Sequence, residues 1–115
     1  MEWTLRLVGT GIDEEVREKA RTLADCRLRW LEEPVWPPED YAGIAMVRAT
    51  GAKIAAGENM NGLLDFRTFF EARALDVAQP SVAKIGVTDT MKMIALAEGF
   101  GVTVVPHCAY FAVAI

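Results

Sequence analysis

The sequence predicts an α/β fold of about five parallel strands with intervening helices. Two observations predict it. Five short apolar runs alternate with stretches of helical periodicity, and strand–helix–strand repetition requires crossovers that build a parallel sheet. The ends of the later runs also recur at nearly constant spacing: Glu32 to Glu58 is 26 residues, Glu58 to Ser81 is 23, and Ser81 to His107 is 26. A repeat of about 25 residues suits either a (β/α) barrel or a doubly wound sheet, and periodicity alone does not choose between them.

The first apolar run is Trp3-Thr4-Leu5-Arg6-Leu7-Val8. It is followed by Leu28-Arg29-Trp30-Leu31, Lys53-Ile54-Ala55-Ala56, Leu75-Asp76-Val77-Ala78-Gln79 and Val102-Thr103-Val104-Val105. Each is of strand length, and four contain β-branched residues, which suit a pleated surface. After Asp13, a good N-cap, Val16, Ala20, Leu23 and Ala24 recur at helical spacing. A second helix is expected from Pro38, with Glu39 and Asp40 at its front and Gly51 just past its end. A third is expected over residues 63–74, with Phe66, Phe69 and Phe70 on its buried side. A fourth is expected from Thr88, with Met91, Ile94 and Ala95 on its apolar face and Gly99 and Gly101 at its end.

Composition narrows the function classes. The 115 residues are 52% hydrophobic and 24% charged, too apolar for a disordered chain. No linker or composition break divides them, so residues 1–115 read as one domain. The net charge is −4 and no basic run occurs, which argues against nucleic acid as a partner. No apolar stretch approaches the ~18 residues of a membrane span, so no membrane partner is expected. The opening Met1-Glu2-Trp3 has no signal-peptide pattern, and the two cysteines, Cys26 and Cys108, make no disulfide framework. A cytoplasmic protein with reduced thiols is the expectation. A complete eight-fold barrel needs ~250 residues, so this length corresponds to about half of one. Five parallel strands leave two bare edges, which points to a homo-oligomer formed through them.

Polar residues cluster where the predicted strands end. Glu32 and Glu33 follow the second run, Glu58 the third, Ser81 the fourth and His107, the one histidine, the fifth. In parallel α/β folds the C-terminal strand ends form the functional face, so four consecutive strands deliver polar groups to one rim. Neighbouring strands lie ~4.8 Å apart, which brings carboxylates at adjacent ends together. Unpaired, they repel, and a bound divalent cation removes the conflict; oxygen ligands of this kind suit Mg2+ or Mn2+ rather than zinc. The alternative is that Glu32 and Glu33 pair with nearby arginines and that Glu58 is an exposed loop acid. His107 reads either as a loop histidine of structural use or as a proton carrier on the same rim.

Four motifs in order carry a resemblance that covers residues 13–110. Trp30-Leu31-Glu32-Glu33-Pro34 resembles the "EEP" strand end of the mandelate racemase branch of the enolase superfamily. Gly57-Glu58-Asn59 is similar to its "GEN" strand end, and Gln79-Pro80-Ser81-Val82-Ala83-Lys84-Ile85-Gly86 to its "P-D-x-x-K-I-G-G" segment. Pro106-His107 resembles the strand end that carries its catalytic histidine. The resemblance implies a partial (β/α) barrel, the middle-to-late part of one whose capping domain lies elsewhere. It implies Mg2+ held by acids at successive strand ends, with Glu32 and Glu58 as ligands and Glu33 structural. It implies a small-molecule carboxylate substrate, a hydroxy acid or sugar acid, whose α-proton is abstracted in a dehydration or racemisation. His107 would be the general base or acid, and Ser81, Asn59 and Lys84 would lie at the substrate-binding rim.

The sequence departs from that pattern in three ways. The third metal acid belongs at the end of the strand before Glu32, where Leu7-Val8-Gly9-Thr10-Gly11-Ile12 has none; Asp13 is nearest and reads as a helix cap. Ser81 stands where the family places an Asp that orients the histidine or, in another branch, a catalytic Lys; its hydroxyl reads otherwise as a cap for the next turn. Lys84 matches the structural "K-I-G" position, but Val87 replaces the second Gly. The chain is therefore expected to show little turnover alone, and substrate choice is expected to reside in the capping domain. A small doubly wound binding domain fits the length but lacks any phosphate-cradling glycine motif.

Overall fold

The computed structural model describes residues 3–6 and 14–108. Five strands and four helices alternate along the chain: β1 (Trp3–Arg6), α1 (Glu14–Ala24), β2 (Leu28–Glu32), α2 (Tyr41–Arg48), β3 (Ile54–Ala56), α3 (Leu63–Glu71), β4 (Val77–Ala78), α4 (Val82–Phe100) and β5 (Thr103–Val104). The strands form one sheet in chain order, and every neighbouring pair is parallel. Sequential order with parallel pairing is that of a barrel segment. A doubly wound sheet reverses its order at a switch point, and no reversal occurs here. Within the described residues β1 and β5 are the sheet edges.

Alternation along the strands separates two faces. Leu31, Ile54, Ala56 and Ala78 join the main core with Ile44, Val47, Phe66, Phe69, Phe70, Met93 and Ala97 from the helices. Trp30, Ala55 and Val77 form a smaller cluster on the other face, packed by Val105. By the same alternation, Glu32 and Gln79 share the face of Trp30 and Val77. The sheet therefore carries its helices on one side and its polar strand ends on the other.

The helices follow local chemistry. Asp40 caps α2 by accepting from Gly43 N–H at 3.0 Å. The helix starts three residues after Pro38 because that cap, and not the proline, sets the first turn; the preceding Trp36–Pro37 bond is cis. In α3, Phe66, Phe69 and Phe70 are all buried, as i, i+3, i+4 spacing requires. That helix stops short of Ala74 because Arg73 takes φ 52° and turns the chain into β4. Ala20 of α1 is buried with Val16 and Leu23 packed around it, whereas Ala24 is exposed. The Asp13 cap and the expected strand residues Leu7 and Val8 lie outside the described residues.

The fourth helix corrects the sequence expectation twice. It begins at Val82 rather than Thr88, and Gly86 (φ 77°, ψ 163°) breaks it into two pieces. Its buried face is Thr90, Met93 and Ala97, while Met91 is 60% exposed and Ile94 37% exposed. The segment is apolar around most of its circumference, so several faces satisfy helical spacing. The choice among them is set by packing: Met93 and Ala97 join the core cluster that holds Phe66, Phe69 and Phe70, while Thr90 satisfies its hydroxyl on the Gly86 carbonyl at 2.7 Å. The expected stop is observed: Gly101 adopts φ 69° and its N–H caps the carbonyls of Ala97 and Glu98.

Candidate functional site

The end of β2 supplies two acids with different fates. Glu32 stays in the ladder, and its Oε2 accepts from Trp30 Nε1 at 3.2 Å and Gln79 Nε2 at 3.1 Å. Glu33 takes φ 45°, which re-aims it at the turn after β3. Its Oε1 accepts from Gly57 N–H at 2.9 Å, and the residue is 7% exposed. Burial pushes its carboxyl above the usual range; the Gly57 hydrogen bond opposes this, and the nearby Glu58 charge adds to it. Glu33 is thus a buried acid whose hydrogen bond ties the end of β2 to the turn after β3, in keeping with the place the resemblance implies for it.

Gly57 makes the presentation of Glu58 possible. The chain leaves β3 with φ 126° at Gly57, and a Cβ there would lie 2.7 Å from Phe66 Cε1 and 3.1 Å from Cζ. Only glycine lets the backbone turn so closely over the buried ring. Glu58 then lies against the sheet with its side chain 12% exposed. Its backbone carbonyl accepts from Lys84 Nζ at 2.9 Å, so Lys84 braces the loop that carries the acid. Asn59 follows, half-buried.

His107 reaches the same place from β5. Its N–H donates to the Pro80 carbonyl at 3.0 Å, and it forms a parallel backbone bridge with Ser81. Its Nε2 lies 3.2 Å from Glu58 Oε2, a distance of contact without hydrogen-bond alignment, since Glu58 Oε2 accepts no hydrogen bond among the described residues. His107 Nδ1 is likewise buried and without a partner there. Ser81 holds the N-cap position of α4 and is 8% exposed, but its hydroxyl makes no cap bond. The expected capping hydroxyl is thus not used as a cap; α4 begins with the backbone of Ser81 accepting from Lys84 and Ile85.

Three contributors were not read from the sequence. Arg6, the last residue of β1, is in register with Glu32 and donates Nη2 to Glu58 Oε1 at 2.6 Å. The hydrogen bond to Glu58 raises the guanidinium pKa further, against partial burial, with added attraction from Glu33 and Glu32. Gln79 and Trp30 orient Glu32. Signals for Arg6 and Gln79 were present, because both sit at C-terminal strand ends. The alternative reading of the acids is not what the structure shows: Glu32 accepts from Trp30 and Gln79, Glu33 accepts from Gly57 N–H, and the arginine pairs with Glu58, which is not an exposed loop acid.

Glu32, Glu58 and His107 thus open onto one rim. Glu58 and His107 meet directly, and Glu32 shares Arg6 with Glu58 as an electrostatic neighbour. The donor set suits a hard cation in kind. Two carboxylates face the rim, and two buried oxygens, Glu58 Oε2 and Gln79 Oε1, have no hydrogen-bond donor among the described residues. No group of three acids, histidines or cysteines able to hold a metal occurs among the described residues, so the set is a partial one. A groove of about 550 Å³ opens at the other end of the strands, lined by Arg48, Lys53, Arg73 and Asp76.

An open parallel segment with acids and a histidine on its C-terminal rim defines a fragment of the (β/α)-barrel class. Residues 11–115 match the Enolase C-terminal domain-like family, and the chain belongs to it, within the enolase superfamily. It is 36% identical over 108 residues to 3,6-anhydro-alpha-L-galactonate cycloisomerase of Streptomyces coelicolor, covering 93% of this chain and 28% of that protein. Among solved structures, a racemase from Streptomyces coelicolor with bound magnesium is 37% identical, with a TM-score of 0.75 over 83% of this chain and 29% of that one. L-Talarate dehydratase from Polaromonas sp. JS666, complexed with Mg and L-glucarate, is 28% identical, with a TM-score of 0.77 over 83% of this chain and 27% of that one. The chain thus spans less than a third of the length of these relatives. Its homologues include dehydratases, racemases and cycloisomerases. Among the described residues no helix is long and apolar enough to cross a membrane.

Proposed function

We propose that this chain is the magnesium- and histidine-bearing section of an enolase-superfamily barrel, a single partial-barrel domain whose chemistry is abstraction of the α-proton of a hydroxy-acid or sugar-acid carboxylate. The observation that carries the reading is the contact of Glu58 with His107 from separate strand ends, with Glu32 on the same rim. The glucarate held by the talarate dehydratase supports the sugar-acid class. Glu32 and Glu58 would hold Mg2+, which when bound supplies fixed positive charge opposite the substrate carboxylate, where negative charge develops. His107 Nε2, beside Glu58 Oε2, receives or returns the proton. Gln79 and Trp30 fix the Glu32 carboxylate, Glu33 and Gly57 fix the loop that carries Glu58, and Lys84 braces that loop. Asn59 and Ser81 line the rim where the substrate hydroxyls would lie.

The chain by itself is expected to show little turnover, because it spans less than a third of the length of these relatives and its cation donors form only a partial set among the described residues. Isothermal titration with Mg2+ tests the reading: measurable binding that is lost in Glu58→Gln is expected, and no binding up to about 10 mM would remove the metal assignment. The open edges at β1 and β5 favour a second reading, self-association of the segment. Light scattering after size exclusion is expected to show more than one copy, and a well-behaved monomer would refute it.

A further inference from the structure

We propose that Arg6 is a built-in competitor for the divalent cation, its guanidinium holding the Glu58 carboxylate so that a metal binds this chain only as Arg6 withdraws. The inference rests on the assignment of Glu32 and Glu58 as cation ligands and goes beyond it, because Arg6 lies outside the matched residues 11–115.

The contact is direct and charge-assisted, Arg6 Nη2 to Glu58 Oε1 at 2.6 Å. The two partners differ in how firmly they are held. The Glu58 side chain is 12% exposed, on a loop fixed by Gly57 and braced by Lys84. The Arg6 side chain is 51% exposed, reaching in from the edge strand β1 on a long flexible stem. The arginine is therefore the partner that can leave. Arg6 on β1 starts opposite Glu32, and its side chain reaches past β2 to Glu58, with weaker attraction from Glu33 and Glu32. It satisfies Glu58 Oε1 and leaves Oε2 without a donor among the described residues, so one oxygen of the acid keeps its lone pairs for another ligand. A cation at that carboxylate would meet a guanidinium already there, and two positive charges on one carboxylate repel. The coupling is reciprocal: whatever Arg6 costs the metal, the metal costs the arginine contact.

The test is Mg2+ titration of the whole chain as wild type, Arg6→Gln and Arg6→Lys, followed by calorimetry. Arg6→Gln is expected to bind Mg2+ about tenfold more tightly than wild type. Arg6→Lys keeps the charge and is expected to stay near the wild-type affinity. Equal or weaker binding by Arg6→Gln overturns the proposal while leaving the metal assignment intact. Absence of binding in all three up to about 10 mM overturns both. A readout on the unaltered chain guards against misfolding of a variant: the 15N signal of Arg6 Nε is expected to shift toward that of a solvated arginine as Mg2+ binds. Saturation with Mg2+ without that shift also overturns the proposal.

Discussion

Replacing Gly57 with alanine should damage the fold and the site together. The residue has φ 126°, a conformation that costs an L-residue ~1–3 kcal/mol. The new methyl would lie 2.7 Å from Phe66 Cε1 and 3.1 Å from Cζ, and 3.4 Å from the Gln79 backbone nitrogen. Phe66 is fully buried, so its ring has little room to retreat, and overpacking of this kind costs ~1–3 kcal/mol. The expected destabilisation is ~2–6 kcal/mol, a large share of the ~5–15 kcal/mol that holds a domain together. Urea denaturation of Gly57→Ala should show a midpoint lowered by roughly 1–2 M. The double variant Gly57→Ala/Phe66→Leu removes the clashing ring edge and keeps the backbone strain, so it should recover ~1 kcal/mol or more relative to additivity. A loss below ~0.5 kcal/mol in Gly57→Ala would refute the view that this glycine is what lets Glu58 approach the rim.

Other substitutions separate the roles of neighbouring residues. Glu33→Gln keeps an acceptor for Gly57 N–H and removes a buried charge, so it should change stability by less than ~1 kcal/mol, whereas Glu33→Ala leaves that N–H unpaired and should cost ~1–3 kcal/mol by chemical denaturation. At the other end of the strands, burial opposes ionisation of Asp76, but hydrogen bonds from Arg48 and from Ile54 N–H outweigh it and hold the carboxyl below its ordinary 3.8. The folded chain then binds that proton less readily than the unfolded one. The stabilisation is present above 3.8 and is lost as pH falls through the lower folded value. Arg48→Met should cost ~1–2 kcal/mol at neutral pH, after allowance for the exposure of the pair, and should flatten that acid-side loss in a pH series of thermal melts. On α4, Met93→Ala should cost ~2–5 kcal/mol and Met91→Lys less than ~0.5 kcal/mol, and the reverse order would overturn the observed helix face.

Much of the fold was legible because parallel α/β architecture writes itself locally. Glu32, Glu58, Ser81 and His107 recur at strand ends, and Phe66, Phe69 and Phe70 mark a helix with one buried side. Glu33 could be separated from Glu32, although the positive φ that turns it toward Gly57 leaves no trace in the residue types. The face of α4 was not legible, since Met91, Met93, Ile94 and Ala97 are all apolar and only packing against the core decides that Met93 and Ala97 are buried. Nor was the charge pairing at the rim. Arg6 and Glu58 are 52 residues apart, and only the successive registers of β1 against β2 and β2 against β3 bring them together. Long-range pairing between strands is the information a single sequence encodes least directly.

The convergence of the strand ends on one cation can be tested with Mn2+ in place of Mg2+ and nuclear magnetic resonance of the single histidine. His107 Nε2 lies 3.2 Å from Glu58 Oε2, so paramagnetic broadening should strike the His107 ring first and should vanish in Glu58→Gln. Signals of Arg48 and Asp76, at the opposite strand ends, should stay sharp at the same Mn2+ concentration. Broadening centred on Arg48 and Asp76, or a His107 ring untouched while Mn2+ is bound, would contradict the assignment.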